Sequence, residues 1–193
     1  MIKAMFFDLD GTLLGKREKE EEKKGGAIQG TCAGYAVRPL GRQDVDAILR
    51  LYSGNPQFFE AMSSPATRES VLGDLTTLPP GKTAEDKHFL GFYDGETLIA
   101  VMDWVDGYPD RRTAFIGLFM VEAAYQGRGV GSAIVRDGLE RMARAGFQRA
   151  RLGYVETNGQ SEAFWRKNSF APTGERAEQE KYTIVVAQRN LRG

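Results

Sequence analysis

The stretch MVEAAYQGRGVGS, residues 120–132, decides the fold of this 193-residue chain. It begins at the end of an apolar segment, Phe115 to Val121, that predicts a strand. It is followed by a segment, Ile134 to Met142, in which apolar residues recur at helical spacing. Backbone N–H groups at the start of a helix lack intrahelical partners and carry the positive end of the helix dipole, so they attract anions. The sequence therefore predicts a strand, an anion-binding turn and a helix, in that order.

Three glycines occupy the turn, and their spacing limits which phosphate-binding motif it can be. Gly127, Gly129 and Gly131 lack a Cβ, which lets a ligand approach the backbone and permits positive φ. Their spacing matches neither the GxGxxG dinucleotide fingerprint nor the GxxxxGK[ST] P-loop. The pattern Gln126-x-x-Gly129-x-Gly131 instead resembles the Q/R-x-x-G-x-G/A signature of the GNAT superfamily of acyl-CoA-dependent N-acetyltransferases. In that family this turn holds the pyrophosphate of coenzyme A.

The resemblance implies a set of cofactor-binding residues around this turn. Acetyl-CoA is the expected co-substrate, and the backbone N–H that stabilises the oxyanion of the reaction is expected at about Val121. The residues that the resemblance places at the cofactor here are Met120, Val121, Gln126, Gly127, Arg128, Gly129, Val130, Gly131 and Ser132.

A second motif follows the next predicted strand. The segment from Asn158 to Phe170 resembles the family pattern N-x-x-A/S-x-x-x-Y-x-K-x-G-F, which implies that Asn158 hydrogen-bonds the pantetheine arm. Capping the following helix is a second role for the same side chain. Trp165 replaces the Tyr that commonly protonates the departing thiolate, and an indole cannot deliver a proton at neutral pH. The other residues expected at the cofactor in this segment are Phe164 and Lys167.

The end of that helix also departs from the family pattern. Ser169 stands where the family usually has Gly, and Asn168 precedes it. Asn tolerates the left-handed conformation better than most residues, so we expect Asn168 to provide the helix stop.

Two carboxylates are candidates for the base that deprotonates an acceptor amine. Glu122 directly follows the strand before the turn. Asp103 lies in the strand text VMDWVD, which is expected to border the acceptor side. Either carboxylate would act directly or through a water chain. The alternative for each is an ordinary solvated or capping acid.

The remaining segments predict one α/β domain over residues 35–193. A short strand precedes two or three helices, and a hairpin turns at Asp94-Gly95; strands and helices then alternate. This order matches the GNAT fold, a mixed and mostly antiparallel central sheet flanked by helices. In that fold the sheet is splayed between the fourth and fifth strands, here Thr113–Val121 and Arg149–Val155.

Residues 1–34 have a different composition. The text MFFDLDGTLL, residues 5–14, resembles the first motif of haloacid-dehalogenase-type phosphatases, which implies a nucleophile at Asp8 and a general acid/base at Asp10. The charge run GKREKEEEKKGG that follows cannot bury a core and predicts a flexible linker. Because so short a segment lacks the supporting residues that hold two carboxylates in place, a Mg²⁺-dependent phosphatase is the less favoured alternative.

Composition limits the classes of partner. The 26 Lys and Arg residues balance the 26 Asp and Glu residues, whereas proteins that bind nucleic acid normally carry a basic excess. One cysteine, Cys32, and one histidine, His88, provide neither an internal disulfide nor a multi-histidine metal site. No apolar run approaches the ~20 residues of a membrane helix, and the N-terminus lacks the order of a signal peptide. We therefore expect a cytoplasmic protein without nucleic-acid or membrane partners.

The resemblance implies an N-acetyltransferase that moves an acetyl group from acetyl-CoA to a small-molecule amine or to a peptide or protein amine. The expected reaction is direct attack in a ternary complex, with no metal. A non-catalytic acyl-CoA-binding or regulatory domain of the same fold is the alternative, because the usual Tyr is missing. Homodimers are common in the family, and the FWxKNxF text resembles a bacterial branch of it.

Overall fold

The structure is a computed structural model that describes residues 30–191. The strands are β1 (Gly30–Cys32), β2 (Tyr35–Pro39), β3 (Lys87–Asp94), β4 (Thr97–Asp106), β5 (Thr113–Val121), β6 (Arg149–Val155), β7 (Ala171–Glu178) and β8 (Thr183–Asn190). The helices are α1 (Val45–Ser53), α2 (Pro56–Ala61), α3 (Arg68–Thr76), α4 (Val130–Arg144) and α5 (Gly159–Lys167). The described strands form one sheet in the order β1-β2-β3-β4-β5-β6-β8-β7.

The mixed α/β fold predicted from the sequence is confirmed. Neighbouring strands pair antiparallel at every step of the sheet except between β5 and β6, which run parallel. Parallel neighbours need a crossover connection, which α4 provides. The turn of residues 120–132 therefore stands where the sheet changes from antiparallel hairpins to a parallel pair.

The parallel pair separates part-way along its length. β5 and β6 pair from Thr113 opposite Arg149 to Ile116 opposite Leu152. Beyond that point β5 continues to pair with β4, and β6 continues to pair with β8, on their outer sides. The opening between the two strands, here called the wedge, is the predicted splay. The strand numbers are one higher than predicted because β1 precedes the strands that the sequence indicated.

Helices cover both faces of the sheet, and each face has its own core. On one face, here the α4 face, apolar residues of α4 such as Ile134 and Leu139 pack with Trp104, Phe147 and Trp165. The opposite face, here the α1 face, carries α1, α2 and α3. Its core consists of Val45, Ile48, Leu51, Tyr52, Phe59, Met62 and Val71 packed against Phe89, Val101 and Met120 of the sheet. The wedge thus lies in the sheet, between two separately packed cores.

Two strands are absent from the sequence prediction. β1 lies within the range predicted to be a linker, yet Cys32 is only 1% exposed and the backbone N–H of Ala33 donates to Asp137 of α4 at 2.8 Å. Residues 30–34 therefore belong to the sheet. β7 is an edge strand in which Ala177 alone is buried, so its text carries no apolar alternation. The predicted phosphatase motif lies outside the described residues.

No helix between residues 30 and 191 has the length and apolar character needed to cross a bilayer.

Candidate functional site

A cleft of about 250 Å³ lies at the open end of the wedge. Its walls are the end of β5, the glycine turn, the first residues of α2 and one side of α5. The predicted cofactor residues that line it are Met120, Val121, Gln126, Gly127, Gly129, Gly131, Ser132, Asn158, Phe164, Trp165 and Lys167. Arg128 and Val130 belong to the same turn but do not line the cleft. The structure therefore brings two motifs, about 30 residues apart in sequence, to one cavity.

The three glycines of the turn serve two different purposes. Gly127 and Gly129 have φ of 70° and 83°, a left-handed conformation that L-residues rarely adopt. The space beside each of them is open. Gly131 instead packs tightly, because a Cβ there would lie 3.2 Å from the Phe164 ring and 3.3 Å from Val121. The first two glycines shape an open cradle, and the third lets α4 approach β5 and α5.

The start of α4 is available to a ligand. Gly129 is its N-cap, and no described side chain caps the helix. The N–H groups of the first turn therefore have no protein acceptor. They lie beside the cleft, at the positive end of the helix dipole. Lys167, an exposed residue in the last turn of α5, lines the same cleft. The arrangement favours an anionic group at the turn.

Gln126 fixes the turn to neighbouring elements. Its Nε2 donates to Asn55 Oδ1 at 2.7 Å and to the carbonyl of Val121 at 2.8 Å. Asn55 Nδ2 also donates to that carbonyl, at 3.2 Å, and Gln160 Nε2 donates to Gln126 Oε1 at 3.2 Å. The Gln126 side chain thus holds the turn in place. The sequence carries no signal for this role of Asn55, because its contacts with Val121 and Gln126 join segments that are distant in the chain.

The α5 side of the cleft combines a cap with an aromatic cluster. Asn158 Oδ1 accepts the N–H of Ser161 at 2.9 Å, so the capping role is present, and no described residue accepts a hydrogen bond from its Nδ2. Trp165 is only 6% exposed, and its ring lies 5.0 Å from that of Phe164 and 6.0 Å from that of Phe119, centroid to centroid. The indole therefore anchors α5 to β5 at the position where the family usually has Tyr.

A smaller cavity of about 50 Å³ continues the wedge through the sheet. Trp165 and Tyr154 line it on the α4 face, and Phe58 and Met62 line it on the α1 face. Gly117 of β5 forms part of its wall. This cavity, here the through-sheet passage, shares Phe119, Asn158 and Trp165 with the cleft, so the two spaces adjoin.

The two predicted bases lie at different places on the α1 face. Glu122 is half-buried, and its Oε1 lies 3.5 Å from the position of a Cβ on Gly54, near the end of α1. Asp103 is buried on β4 and accepts a hydrogen bond from Lys87 Nζ at 2.7 Å. Burial raises the pKa of Asp103, and the charge of Lys87 offsets part of the rise. Neither carboxylate lines the large cleft.

Within residues 30–191, no group of three or more His, Cys, Asp or Glu side chains could hold a metal ion.

A wedge in a mixed sheet, beside a glycine turn at a helix start, defines the GNAT class of acyltransferase folds. The sequence matches the Acetyltransferase (GNAT) family over residues 45–170, more than half of the chain. The protein belongs to the GNAT acetyltransferase family, whose members use acetyl-CoA. A search of curated proteins finds no significant match to this sequence.

Solved structures share the fold at low sequence identity. An acetyltransferase from Thermus thermophilus is 22% identical, with a TM-score of 0.63 over 84% of this chain and 99% of that one. PaiA N-acetyltransferase from Thermoplasma acidophilum, in complex with coenzyme A, is 15% identical, with a TM-score of 0.59 over 80% and 99%. The ribosomal-protein-S18-alanine N-acetyltransferase from Escherichia coli is 11% identical, with a TM-score of 0.60 over 81% and 94%. Identities this low support the fold alone.

Proposed function

We propose that this protein transfers the acetyl group of acetyl-CoA to an amine by direct attack while both substrates are bound. The observation that carries the proposal is the open glycine turn at the start of α4, joined to a passage that crosses the sheet. Family membership supports an acyl-CoA donor in general. The coenzyme A complex of the Thermoplasma acidophilum neighbour supports the same donor for this fold.

The described residues fit the donor. The uncapped N–H groups of the first turn of α4 and the open sides of Gly127 and Gly129 would hold its pyrophosphate. Lys167 at the cleft and exposed Arg128 in the turn add positive charge. The Nδ2 of Asn158 would hold the pantetheine arm in the wedge. When bound, acetyl-CoA supplies the activated carbonyl for the reaction.

Backbone geometry supports Val121 as the donor to the developing oxyanion. The N–H of Glu122 donates to Ile99 of β4 at 2.8 Å. Consecutive N–H groups of a strand point to opposite edges, so the N–H of Val121 points into the wedge. A fixed donor aimed at developing negative charge stabilises the transition state without reorganisation. Holding both substrates in one wedge contributes further, on the order of 7 to 11 kcal/mol in favourable cases.

Trp165 bears on how the leaving group departs. Its indole supplies no proton at neutral pH, so the chain offers no acid at the usual Tyr position. A thiol with a pKa of roughly 8.5, as in cysteine, departs as the anion near neutrality without one. The same substitution is the observation that favours the second candidate, an acyl-CoA-binding module without turnover.

A thermal-shift titration with acetyl-CoA tests the donor, with ATP and desulfo-CoA alongside. A ligand that binds only the native state, at a hundredfold its Kd, stabilises by ~2.7 kcal/mol, which raises the Tm of a domain this size by several degrees. We expect a saturable shift with acetyl-CoA and none with ATP. No shift up to millimolar acetyl-CoA would contradict the proposal.

Thiol release on addition of an amine then separates the two candidates. The acceptor panel spans an alkylamine, a polyamine, an amino acid and a short peptide, because the cofactor half of the site does not define the acceptor. Release above the rate without enzyme supports transfer. A cofactor shift without release from any acceptor would favour the binding module.

A further inference from the structure

Asn55 stands at the start of α2, yet its side chain does not cap that helix. Asn is a preferred N-cap residue because its side-chain oxygen accepts an N–H of the first helical turn. Asn55 is the N-cap of α2 and makes no such bond. Its amide instead bonds to the end of α1, the end of β5 and the glycine turn. The orientation of this amide therefore needs an explanation other than helix capping.

The bonding partners of Asn55 require an amide at this position. Its Nδ2 donates to the carbonyl of Leu51 at 2.9 Å and to the carbonyl of Val121 at 3.2 Å. Its Oδ1 accepts Nε2 of Gln126 at 2.7 Å. Because carbonyl groups only accept, the atom that faces Leu51 and Val121 has to carry two hydrogens. A carboxylate of the same shape would place negative charge against both carbonyl groups.

The carbonyl of Val121 faces the wedge. The N–H of Glu122 donates to Ile99 of β4, so the polar groups of Val121, the preceding residue in the strand, point to the opposite edge. The carbonyl there accepts from both Asn55 and Gln126, which uses both of its lone pairs. The N–H of Val121 lies on the same edge. The proposed donor to the oxyanion therefore has this carbonyl as its neighbour.

A free carbonyl beside that N–H would oppose the reaction. Its partial negative charge would repel the oxyanion that the N–H is proposed to stabilise, and charges interact strongly where little water separates them. Two amide groups that donate to the carbonyl oxygen place partial positive charge beside it instead. They also fix the end of β5 before the reaction begins, which is the condition under which a backbone donor is most effective.

We propose that Asn55 is a positioning residue for acetyl transfer: together with Gln126, its amide occupies the Val121 carbonyl and holds the neighbouring N–H where the oxyanion forms. This inference rests on the proposed function. Asn55 exchanges no proton in this role and acts through the backbone of Val121. Its place in the cleft wall puts the amide at the site itself.

The first test uses acetyl-CoA labelled with ¹³C at the acetyl carbonyl. A hydrogen bond to a carbonyl oxygen deshields its carbon, so the NMR signal of the bound molecule reports on the donor without any acceptor amine. We expect this signal to lie downfield of free acetyl-CoA in the wild type. In Asn55→Ala and Asn55→Asp it should move back towards the free position, further in Asn55→Asp because the carboxylate repels the Val121 carbonyl.

The kinetic expectation is a loss of kcat at an almost unchanged KM for acetyl-CoA. Displacing a reacting group slightly costs up to about 100-fold in rate, so we expect kcat to fall roughly 10- to 100-fold in Asn55→Ala. The pyrophosphate is proposed to bind at the first turn of α4. The KM for acetyl-CoA should therefore stay within about threefold, as for an interaction that matters only in the transition state.

Gln57 provides matched controls in the same helix. It is exposed and lines neither the cleft nor the passage. Gln57→Ala and Gln57→Glu therefore repeat both exchanges without reaching Val121, and they should retain the wild-type carbonyl signal and kcat. If Asn55→Asp fails to fold, because its carboxylate faces two carbonyl groups, Asn55→Ala adds no charge and carries the test.

The outcomes separate this inference from the function on which it rests. A wild type that binds no acetyl-CoA, or that acetylates no amine, contradicts both. An active wild type whose Asn55 variants keep the carbonyl signal of the bound donor overturns the role of Asn55 and leaves acetyl transfer intact, even if those variants lose stability. A carbonyl signal and a kcat that both change in the Asn55 variants, and in neither Gln57 variant, support the assignment.

Discussion

One half-buried side chain on the α1 face, Asp74, makes the stability of this domain depend on pH. Burial raises the pKa of Asp74 from 3.8 to about 6, and the hydrogen bond from Tyr52 offsets part of that rise. The folded state thus binds a proton more tightly than the unfolded chain. The resulting stabilisation is fully present below about pH 4 and is lost as the pH rises through about 6. Above that, the native state holds a poorly solvated carboxylate.

Asp74→Asn is therefore expected to stabilise the protein at neutral pH. The amide oxygen still accepts the Tyr52 hydroxyl, and the variant has no charge to desolvate. A shift of about 2 pKa units corresponds to at most about 3 kcal/mol, so we expect a gain of about 1–3 kcal/mol at pH 7.5 and none at pH 4. Urea unfolding at both pH values measures it. Glu69→Gln, an exposed change in the first turn of the same helix, should give no gain at pH 7.5, because the ionised Glu69 already favours the helix dipole. Equal gains from Asp74→Asn at both pH values would contradict the pKa argument.

At the residue scale, the sequence predicted the structure correctly where one local backbone requirement determines the residue type. The pattern Gln126-x-x-Gly129 marked a real turn because a left-handed φ at a helix start demands glycine. It was wrong about the end of α5, where Asn168 was expected to be left-handed. Asn168 has φ of −90°, and Ser169 takes φ of 63°. The N–H of Ser169 bonds Arg166 and that of Phe170 bonds Trp165, which is the Schellman arrangement and puts the left-handed residue at position 169.

At the scale of elements, the glycine turn leads directly into α4, because Gly129 of the turn is the N-cap of that helix. Gly129→Glu places a carboxylate beside the proposed site of the pyrophosphate, so we expect no measurable binding of acetyl-CoA. Gly129→Ala introduces the backbone strain without the charge. Because Gly129 has φ of 83°, this variant should lose about 1–3 kcal/mol of stability. It should still bind acetyl-CoA, more weakly than the wild type. Thermal shift with and without acetyl-CoA measures both effects.

Gly138→Ala is the control for these variants. Gly138 lies within α4 with open space around it and an ordinary helical backbone, so the change should stabilise the helix by about 1 kcal/mol. Its acetyl-CoA binding should be unchanged. If Gly129→Glu binds acetyl-CoA as wild type does, the turn is not the pyrophosphate site.

Helices and strands differ in how strongly their sequence pattern predicts them. α4 was predictable because one face carries a continuous apolar stripe against the sheet, and β5 because both of its faces are covered. β7 gave no such signal, since an edge strand with one buried residue needs no alternation. β1 is three residues long, and its place in the sheet depends on contacts with α4, a hundred residues later in the chain.

At the scale of the whole molecule, the splay could be predicted only through resemblance to a family, because periodicity does not report how far two strands stay paired. On the α1 face, Tyr52 donates to Asp74 and Lys87 donates to Asp103, and the sequence does not predict either pair, although it offered Asp103 as a candidate base. These four side chains form a polar cluster. Its members, Tyr52, Asp74, Lys87 and Asp103, come from four elements, and each looks ordinary in its own segment. Topology alone brings them together on the α1 face.

The extent of the folded domain is testable by truncation. Removing residues 1–29 is expected to leave the Tm and acetyl-CoA binding unchanged, because residues 30–191 supply a continuous sheet and both cores. Removing residues 1–34 deletes β1. It exposes the site of Cys32 and breaks the bonds from Ala33 to Asp137 and from Arg141 to the Thr31 carbonyl.

The two truncations should therefore differ sharply. One buried side chain and two hydrogen bonds to charged groups together amount to about 3 kcal/mol or more, or a fall in Tm of about 6 °C or more for a domain of this size. Differential scanning calorimetry of the full chain and both truncations measures it. Equal Tm values for the two truncated proteins would show that β1 does not contribute to stability and would place the start of the domain at residue 35. A fall already present on removing residues 1–29 would show that the N-terminal segment takes part in the fold.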